Sequence, residues 1–309
     1  MSHIFEALQR SEAERSGVEL DARDLPTELL QIAESTRAAQ AAESGSAEPW
    51  TASHTPEFEP EHVGDGGAGE PPLFPEFQCL PVSLPRESKL ATVTAKQSLA
   101  AEKFRLLAVR LRHLQQNRAL KQILLTSAMP EEGKSTVAAN LACALASRRQ
   151  KKTLLLEADL RRPSVQRQFG LGKVSGLGAY LQGTIDGTPP IYRLDSLGIW
   201  VLPAGEAPEN PLELLQSTRL APLMSKLSNW FDWIVIDSPP ILPLADTSVW
   251  TRLADGILFV TRQGKTDREQ LKRGLQALES AKLIGAVLNS AANTGGGGYY
   301  YHYGSPAVR

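Results

Sequence analysis

The stretch Ala128-Met129-Pro130-Glu131-Glu132-Gly133-Lys134-Ser135-Thr136 follows an apolar run and precedes the small-residue string VAANLACALA. Its spacing is that of a phosphate loop, G-x-x-x-x-G-K-S/T, with Ala128 in place of the first glycine. A loop that enters a helix aims several backbone N–H groups at an anion, and the helix dipole adds to the attraction. In that arrangement Gly133 permits close backbone approach, Lys134 reaches the β- and γ-phosphates of a nucleotide, and Ser135 offers a hydroxyl to Mg2+. The candidate nucleotide-binding residues are therefore Glu132, Gly133, Lys134, Ser135 and Thr136.

Carboxylates end two other apolar runs. Leu154-Leu155-Leu156 leads into Glu157-Ala158-Asp159-Leu160-Arg161-Arg162-Pro163. Residues two apart in an extended segment point the same way, so Glu157 and Asp159 are both expected to face the phosphate site. Trp233-Ile234-Val235-Ile236 leads into Asp237, the form of a strand that places a carboxylate near a magnesium ion. Lys134, Glu157, Asp159 and Asp237 are the catalytic candidates, with Ser135, Asp159 and Asp237 the candidates for holding the metal. The plainer alternative for Glu157 and Asp159 is a strand end with solvated charge, and the Asp237 signal gains its force from following the loop at Lys134 in the same array.

Four of the six tyrosines fall together at Tyr299, Tyr300, Tyr301 and Tyr303, after four glycines at 295–298. Composition alone suits a sticky low-complexity end. Beside a nucleotide site the balance turns to a flexible hinge presenting phenol hydroxyls, because phosphoryl transfer needs an acceptor. His302 has no partner nearby and is discounted as a metal ligand.

These groups need a scaffold. Phe104, Leu107, Leu111 and Leu114 are spaced three and four apart and predict a helix over 97–116. Beyond it, apolar runs at 123–126, 153–156, 199–202, 233–236, 256–260 and 284–288 alternate with helix candidates at 135–149, 211–229, 244–253 and 267–281. Near-continuous apolar strands alternating with helices predict an α/β fold, a mostly parallel sheet covered by helices on both faces. Ligands of such sheets bind outside the carboxyl ends of the strands, so the polar residues directly after each run matter most.

The 309 residues are unevenly charged. Residues 1–80 carry 16 acidic groups against four Arg and no Lys, a net of −12, whereas 81–309 carry a net of +11. This division predicts an acidic, largely disordered arm over 1–80, a nucleotide-binding domain over 81–293 and a flexible Gly/Tyr-rich tail over 294–309. Short helices are expected at 2–15 and from Pro26, with a linker from about 38 to 75 whose low apolar content cannot offset ordering entropy. No apolar run approaches the ~18 residues of a membrane span. The start lacks a signal-peptide core, and Cys79 and Cys143 have no metal-binding or disulfide spacing. A reduced, cytoplasmic protein is expected, and the near-neutral total gives no reason to expect nucleic-acid binding.

Together these motifs resemble the bacterial protein-tyrosine kinases of capsule and exopolysaccharide biosynthesis, which use a phosphate-loop ATPase fold. The resemblance covers about 95–290 and the tail. It rests on TSAMPEEGKST, LLLEADLRRP, GLGAYLQGT, LPAGEAPENPLELLQS, WIVIDSPPILPLAD, DGILFVTRQGKT, GAVLNS and the closing tyrosines. It implies ATP and Mg2+ as cofactors, with the ATP-contacting lysine at Lys134 and the Mg2+-binding hydroxyl at Ser135. The family's second-segment carboxylates fall on Glu157 and Asp159, and its Walker B carboxylate on Asp237. Two departures stand out. Glu131 occupies a position that is often glycine and adds negative charge close to phosphate, and Glu157 is one methylene longer than the usual Asp. The family's oligomerisation motif, E-x-x-R-x-x-R, reads Glu102, Arg105 and then Ala108.

Autophosphorylation of Tyr299, Tyr300, Tyr301 and Tyr303 is expected in trans, because a tail tethered at Asn293 is poorly placed to reach its own site, with Asp159 as proton acceptor or metal orienter and Glu157 in support. The resemblance implies a homo-oligomer, a membrane-spanning polysaccharide co-polymerase as activator, a cognate phosphotyrosine phosphatase, and recruitment to the inner membrane face. Two rivals share the fold. A cell-positioning or DNA-partitioning ATPase carries a second Lys early in its phosphate loop, and no Lys lies between Gln122 and Gly133. A non-catalytic export subunit switched by nucleotide is kept open by Glu131 and Glu157.

Overall fold

The computed structural model describes residues 74–147, 151–278 and 282–290. The expected N-terminal helices, the linker up to residue 73 and the tyrosine cluster lie outside them. Among the described residues the chain builds one eight-stranded sheet, in the order β1-β4-β5-β3-β6-β2-β7-β8. The strands are β1 (Gln78–Cys79), β2 (Gln122–Ser127), β3 (Thr153–Glu157), β4 (Tyr192–Leu194), β5 (Ile199–Leu202), β6 (Trp233–Asp237), β7 (Gly256–Arg262) and β8 (Leu283–Asn289). Every neighbouring pair is parallel except β4 with β5, so β1 and β4 run against the other six. The expected mostly parallel α/β sheet is the observed one, and all six expected strands are present.

Alternation along the central strands divides the core in two. Ile123, Leu125, Leu155 and Val235 point to one face, beneath α1 (Ala91–Thr94), α2 (Leu99–Asn117) and α3 (Lys134–Ala146). Leu124, Leu154, Leu156, Ile234 and Ile236 point to the other. That second face is covered by α5 (Leu177–Gln182), α6 (Pro211–Leu215), α7 (Leu220–Trp230) and α8 (Asp246–Leu253). A short α4 (Val165–Phe169) and the more polar α9 (Arg268–Gln276) complete the described helices. Eleven of the 13 residues of α3 are buried, which explains its run of small side chains between sheet and α2. Its one mid-helix amide, Asn140, accepts from Thr92 and donates to the carbonyls of Lys89 and Thr136, tying α1 to α3.

The single helix expected over 211–229 is two. Gln216, Ser217, Thr218 and Arg219 separate α6 from α7, and the Gln216 N–H closes the last turn of α6 on the carbonyls of Leu212 and Glu213. The packed region also reaches further towards the N-terminus than the boundary at residue 80 drawn from charge. Phe74 contacts Phe77, Trp200 and Phe231 edge to face, and the Lys152 ammonium lies 3.7 Å over its ring. These rings hold the segment that supplies β1 at the sheet edge.

Three strand ends come level where the site is expected. Asp237 pairs in register with Leu125 of β2 on one side and Glu157 of β3 on the other. Sequential β2 and β3 thus flank β6, and the crevice at their carboxyl ends is where such folds bind ligands.

Candidate active site

The phosphate loop runs from the end of β2 into α3. Gly133 takes φ +92°, a left-handed conformation that costs glycine nothing, and a Cβ there would lie 2.0 Å from Asn289 Nδ2. Ala128, in the place of the first glycine, is fully buried and not left-handed. Room for its methyl comes from α9, where a Cβ on Gly274 would lie 3.1 Å from that of Ala128.

Glu131 adopts φ +65°, which explains why glycine suits this position. Its carboxylate is turned out to Lys265 at 2.5 Å. The hydrogen bond and charge of Lys265, then the charges of Arg162 and Arg262, hold its pKa below the usual carboxylate range. The added negative charge is therefore matched by cations rather than aimed unpaired at a phosphate. Glu132 is fully buried and folds back on the loop. Its carboxylate accepts from the Met129 N–H at 2.9 Å and from the Thr266 hydroxyl. That side chain is a brace, and what Glu132 has left to offer a ligand is its main-chain N–H.

Behind the loop stands Asp237, 1% exposed, with neither carboxylate oxygen partnered. Burial pushes its pKa up to about 7, although the Ser135 hydroxyl and the Lys134 ammonium pull the other way. The carboxylates of Glu157 and Asp159 raise it further. Its main-chain carbonyl accepts the N–H groups of Ala158 and Asp159 at 2.8 and 3.1 Å, which locks β6 to the acidic segment after β3.

Glu157 and Asp159 do not act as the matched pair that their spacing predicts. The strand ends at Glu157, and the N–H groups of Ala158 and Asp159 beyond it both donate to the Asp237 carbonyl, so the strand pleat does not continue to Asp159. Glu157 is fully buried, and both its oxygens are taken by main-chain donors. Oε1 accepts from Ser164 and Val165, the latter at 2.7 Å, and Oε2 accepts from Ala204 at 2.9 Å. Burial raises its pKa, those three bonds oppose the rise, and Asp159 adds to it. The extra methylene thus reaches two loops, not the phosphate site. Asp159 stays half-buried at the mouth, with Oδ1 accepting from the Arg162 N–H at 3.1 Å. Close by, Arg161 clasps the buried Asp246 through two hydrogen bonds of 2.7 and 3.1 Å.

Among the described residues no group of three or more His, Cys, Asp and Glu side chains is placed to hold a metal. Mg2+ does not need one, because it is commonly held by one or two carboxylates together with phosphate oxygens and water. The unpartnered Asp237 carboxylate beside the Ser135 hydroxyl fits that pattern. Four further residues meet the loop: Arg262 at the end of β7, Lys265 and Thr266 just beyond it, and Asn289 at the end of β8. None was singled out from the sequence. For Arg262 and Asn289 the signal was their position at the ends of apolar runs; Lys265 and Thr266, in the turn beyond β7, left none, since the spacing of the loop itself says nothing of them. Glu102 and Arg105 of the truncated oligomerisation motif pair with each other on α2.

Fold and loop together define a phosphate-loop nucleotide-binding protein. No protein-family model matches the chain. Individual relatives do. It is 35% identical over 205 residues to tyrosine-protein kinase YwqD of Bacillus subtilis, covering 66% of this chain and 86% of that protein. It is 34% identical over 202 residues to the succinoglycan biosynthesis transport protein ExoP of Rhizobium meliloti, covering 64% of this chain and 26% of that one. The kinase domain of Escherichia coli tyrosine kinase ETK matches with a TM-score of 0.62 at 29% identity, over 71% of this chain and 83% of that domain. The chain belongs to the bacterial protein-tyrosine kinases of capsule and exopolysaccharide biosynthesis.

Proposed function

We propose that this kinase transfers the γ-phosphate of ATP to Tyr299, Tyr300, Tyr301 and Tyr303 of a neighbouring copy, and so regulates polysaccharide polymerisation and export. The observation that carries this is the buried, unpartnered Asp237 carboxylate beside Ser135 and Lys134, behind a loop built for phosphate. Phosphoryl transfer is mainly positioning and stabilisation of spreading charge. In this reading the loop N–H groups and Lys134 bind and orient the phosphates, with Thr136 following on the first turn of α3. Ser135, Asp237 and Asp159 are the residues that would hold Mg2+. When bound, that ion neutralises charge on the phosphate oxygens. A tyrosine hydroxyl has a pKa of about 10, so a carboxylate placed to accept its proton helps. Asp159, half-buried at the mouth, is assigned that role, and Glu157 supports the site by bracing the loops around it.

The domain limits from charge are kept as part of the proposal, with the kinase domain extended back to Phe74. Among the described residues no helix is long and apolar enough to cross a membrane. A cytoplasmic chain docking on the tail of a membrane-spanning co-polymerase, as a homo-oligomer reversed by a phosphotyrosine phosphatase, fits a relative named for succinoglycan transport. Each phosphate adds about −1.5 to −2 charges. Several on one tail repel each other and the acidic arm, which would loosen the assembly.

The test is to incubate the full chain with Mg2+ and ATP, with and without a candidate activator tail, and to map phosphotyrosine by mass spectrometry. Lys134→Met should abolish the signal, and changing all four tail tyrosines to Phe should remove most of it. Full retention in the four-Phe variant would sink the tail assignment. Tight ATP binding without any phosphotyrosine would support a nucleotide switch instead.

A further inference from the structure

Two consecutive carbonyls of the phosphate loop are held from outside it. Arg262 Nη1, at the end of β7, donates to the Glu131 carbonyl at 3.2 Å. Asn289 Nδ2, at the end of β8, donates to the Glu132 carbonyl at 2.9 Å. The Asn289 amide is itself fixed, because its Oδ1 accepts from the Ser290 N–H at 2.9 Å. Its main-chain carbonyl accepts from the Gln263 N–H at 3.0 Å, which ties the end of β8 to the turn after β7.

The consequence follows from peptide geometry. In a trans peptide the carbonyl and the following N–H lie in one plane and point in opposite directions. Drawing the Glu131 and Glu132 carbonyls outward therefore turns the N–H groups of Glu132 and Gly133 inward, as neighbours. Successive N–H groups beside left-handed residues form an anion-binding concavity, and Glu131 at φ +65° and Gly133 at φ +92° supply those residues. Glycine also brings a liability. With no Cβ at 133, the peptide between Glu132 and Gly133 meets little steric resistance to flipping, which would aim a carbonyl at the phosphates. Asn289 opposes that flip.

We propose that Asn289, assisted by Arg262, is a positioning residue that holds the loop peptides in their anion-binding orientation. The proposal rests on reading 128–136 as the ATP phosphate cradle. It does not involve the tyrosine tail.

The experiment uses the full chain with Asn289→Leu, which keeps the size and removes the polar atoms, and Asn289→Ala as a smaller second variant. Isothermal titration with Mg2+ and ADP should show Kd raised about tenfold, equivalent to about 1.4 kcal/mol. The KM for ATP should rise in parallel while kcat changes little, because an interaction made equally in ground and transition states appears in KM. Unchanged Kd in both variants overturns the proposal. So does a fall in kcat and in binding sites per chain at unchanged KM and Kd, the signature of lost folded protein. If the wild-type chain binds no ADP, the reading of the loop itself fails, and the inference with it.

Discussion

Replacing Asp237 with Asn tests the electrostatics of the site without any phosphorylation assay. The carboxyl is 1% exposed, and burial lifts its pKa from 3.8 to about 7. Between those values the native state keeps a proton that the unfolded chain has released. The associated stability is therefore full below the unfolded pKa and is lost as pH rises through 7. At about 1.4 kcal/mol per pH step of one, the wild-type protein should lose about 3 kcal/mol from this group between pH 5 and pH 8. Asp237→Asn has no proton to lose. Its buried amide carries a cost of its own, but one that does not vary with pH. For a domain of this size each kcal/mol moves Tm by about 2–4 °C, so the variant should gain about 6–12 °C on the wild type across that range. The assay is thermal unfolding of both nucleotide-free proteins at half-unit steps of pH. Parallel curves from pH 5 to pH 8 would refute the reasoning. Mg2+ with ADP should then raise the wild-type Tm more than that of the variant, since the variant lacks the carboxylate proposed to hold the ion.

Glu157→Gln should lower stability by about 2–3 kcal/mol in urea, because one amide oxygen replaces two acceptors and a main-chain N–H is left unpaired. Asp159→Asn should leave the urea midpoint in place and reduce phosphotyrosine formation at least tenfold; equal losses of stability in the two variants would contradict the division of roles. Glu131→Gly should unfold at a Tm no lower than wild type, because glycine accepts φ +65° without strain and the lost pair with Lys265 is exposed. Phe74→Ala should cost about 2–3 kcal/mol by removing its contacts with Phe77, Trp200 and Phe231, and an unchanged urea midpoint would mean that 74–80 adds nothing to the domain.

What the sequence shows and hides follows from range. The strands β2, β3, β6 and β7 are buried on both faces and read as unbroken apolar runs. The loop lies within nine consecutive residues, 128–136, so its chemistry is legible from spacing. Asp237 is legible because it ends an apolar run in the same array. The role of Glu157 is not, because its partners are main-chain N–H groups seven, eight and 47 positions away, and a main-chain donor leaves no mark in a sequence. Asn289 reaches Glu132 across 157 positions. The strands β1 and β4 have two and three residues, too few to show a period. Their edge is held by aromatic contacts that only the folded chain brings together.

The two departures in the loop have a common physical consequence. A phosphate loop with glycine at both positions has neither a side chain to seat nor a left-handed residue to strain; Ala128 adds a buried methyl and Glu131 takes φ +65°. Each is met by a compensation elsewhere. Gly274 leaves space where a side chain would crowd the methyl of Ala128. Lys265 pairs with the Glu131 carboxylate, and Arg262 takes its carbonyl. The loop is thereby tied to the segment after β7, and through Glu132 to Thr266 and Asn289 as well. A loop held this way depends on the ends of β7 and β8 for its shape. Substitutions at those ends should therefore alter nucleotide affinity even where they touch no nucleotide, which distinguishes this chain from one whose loop is shaped by its own glycines.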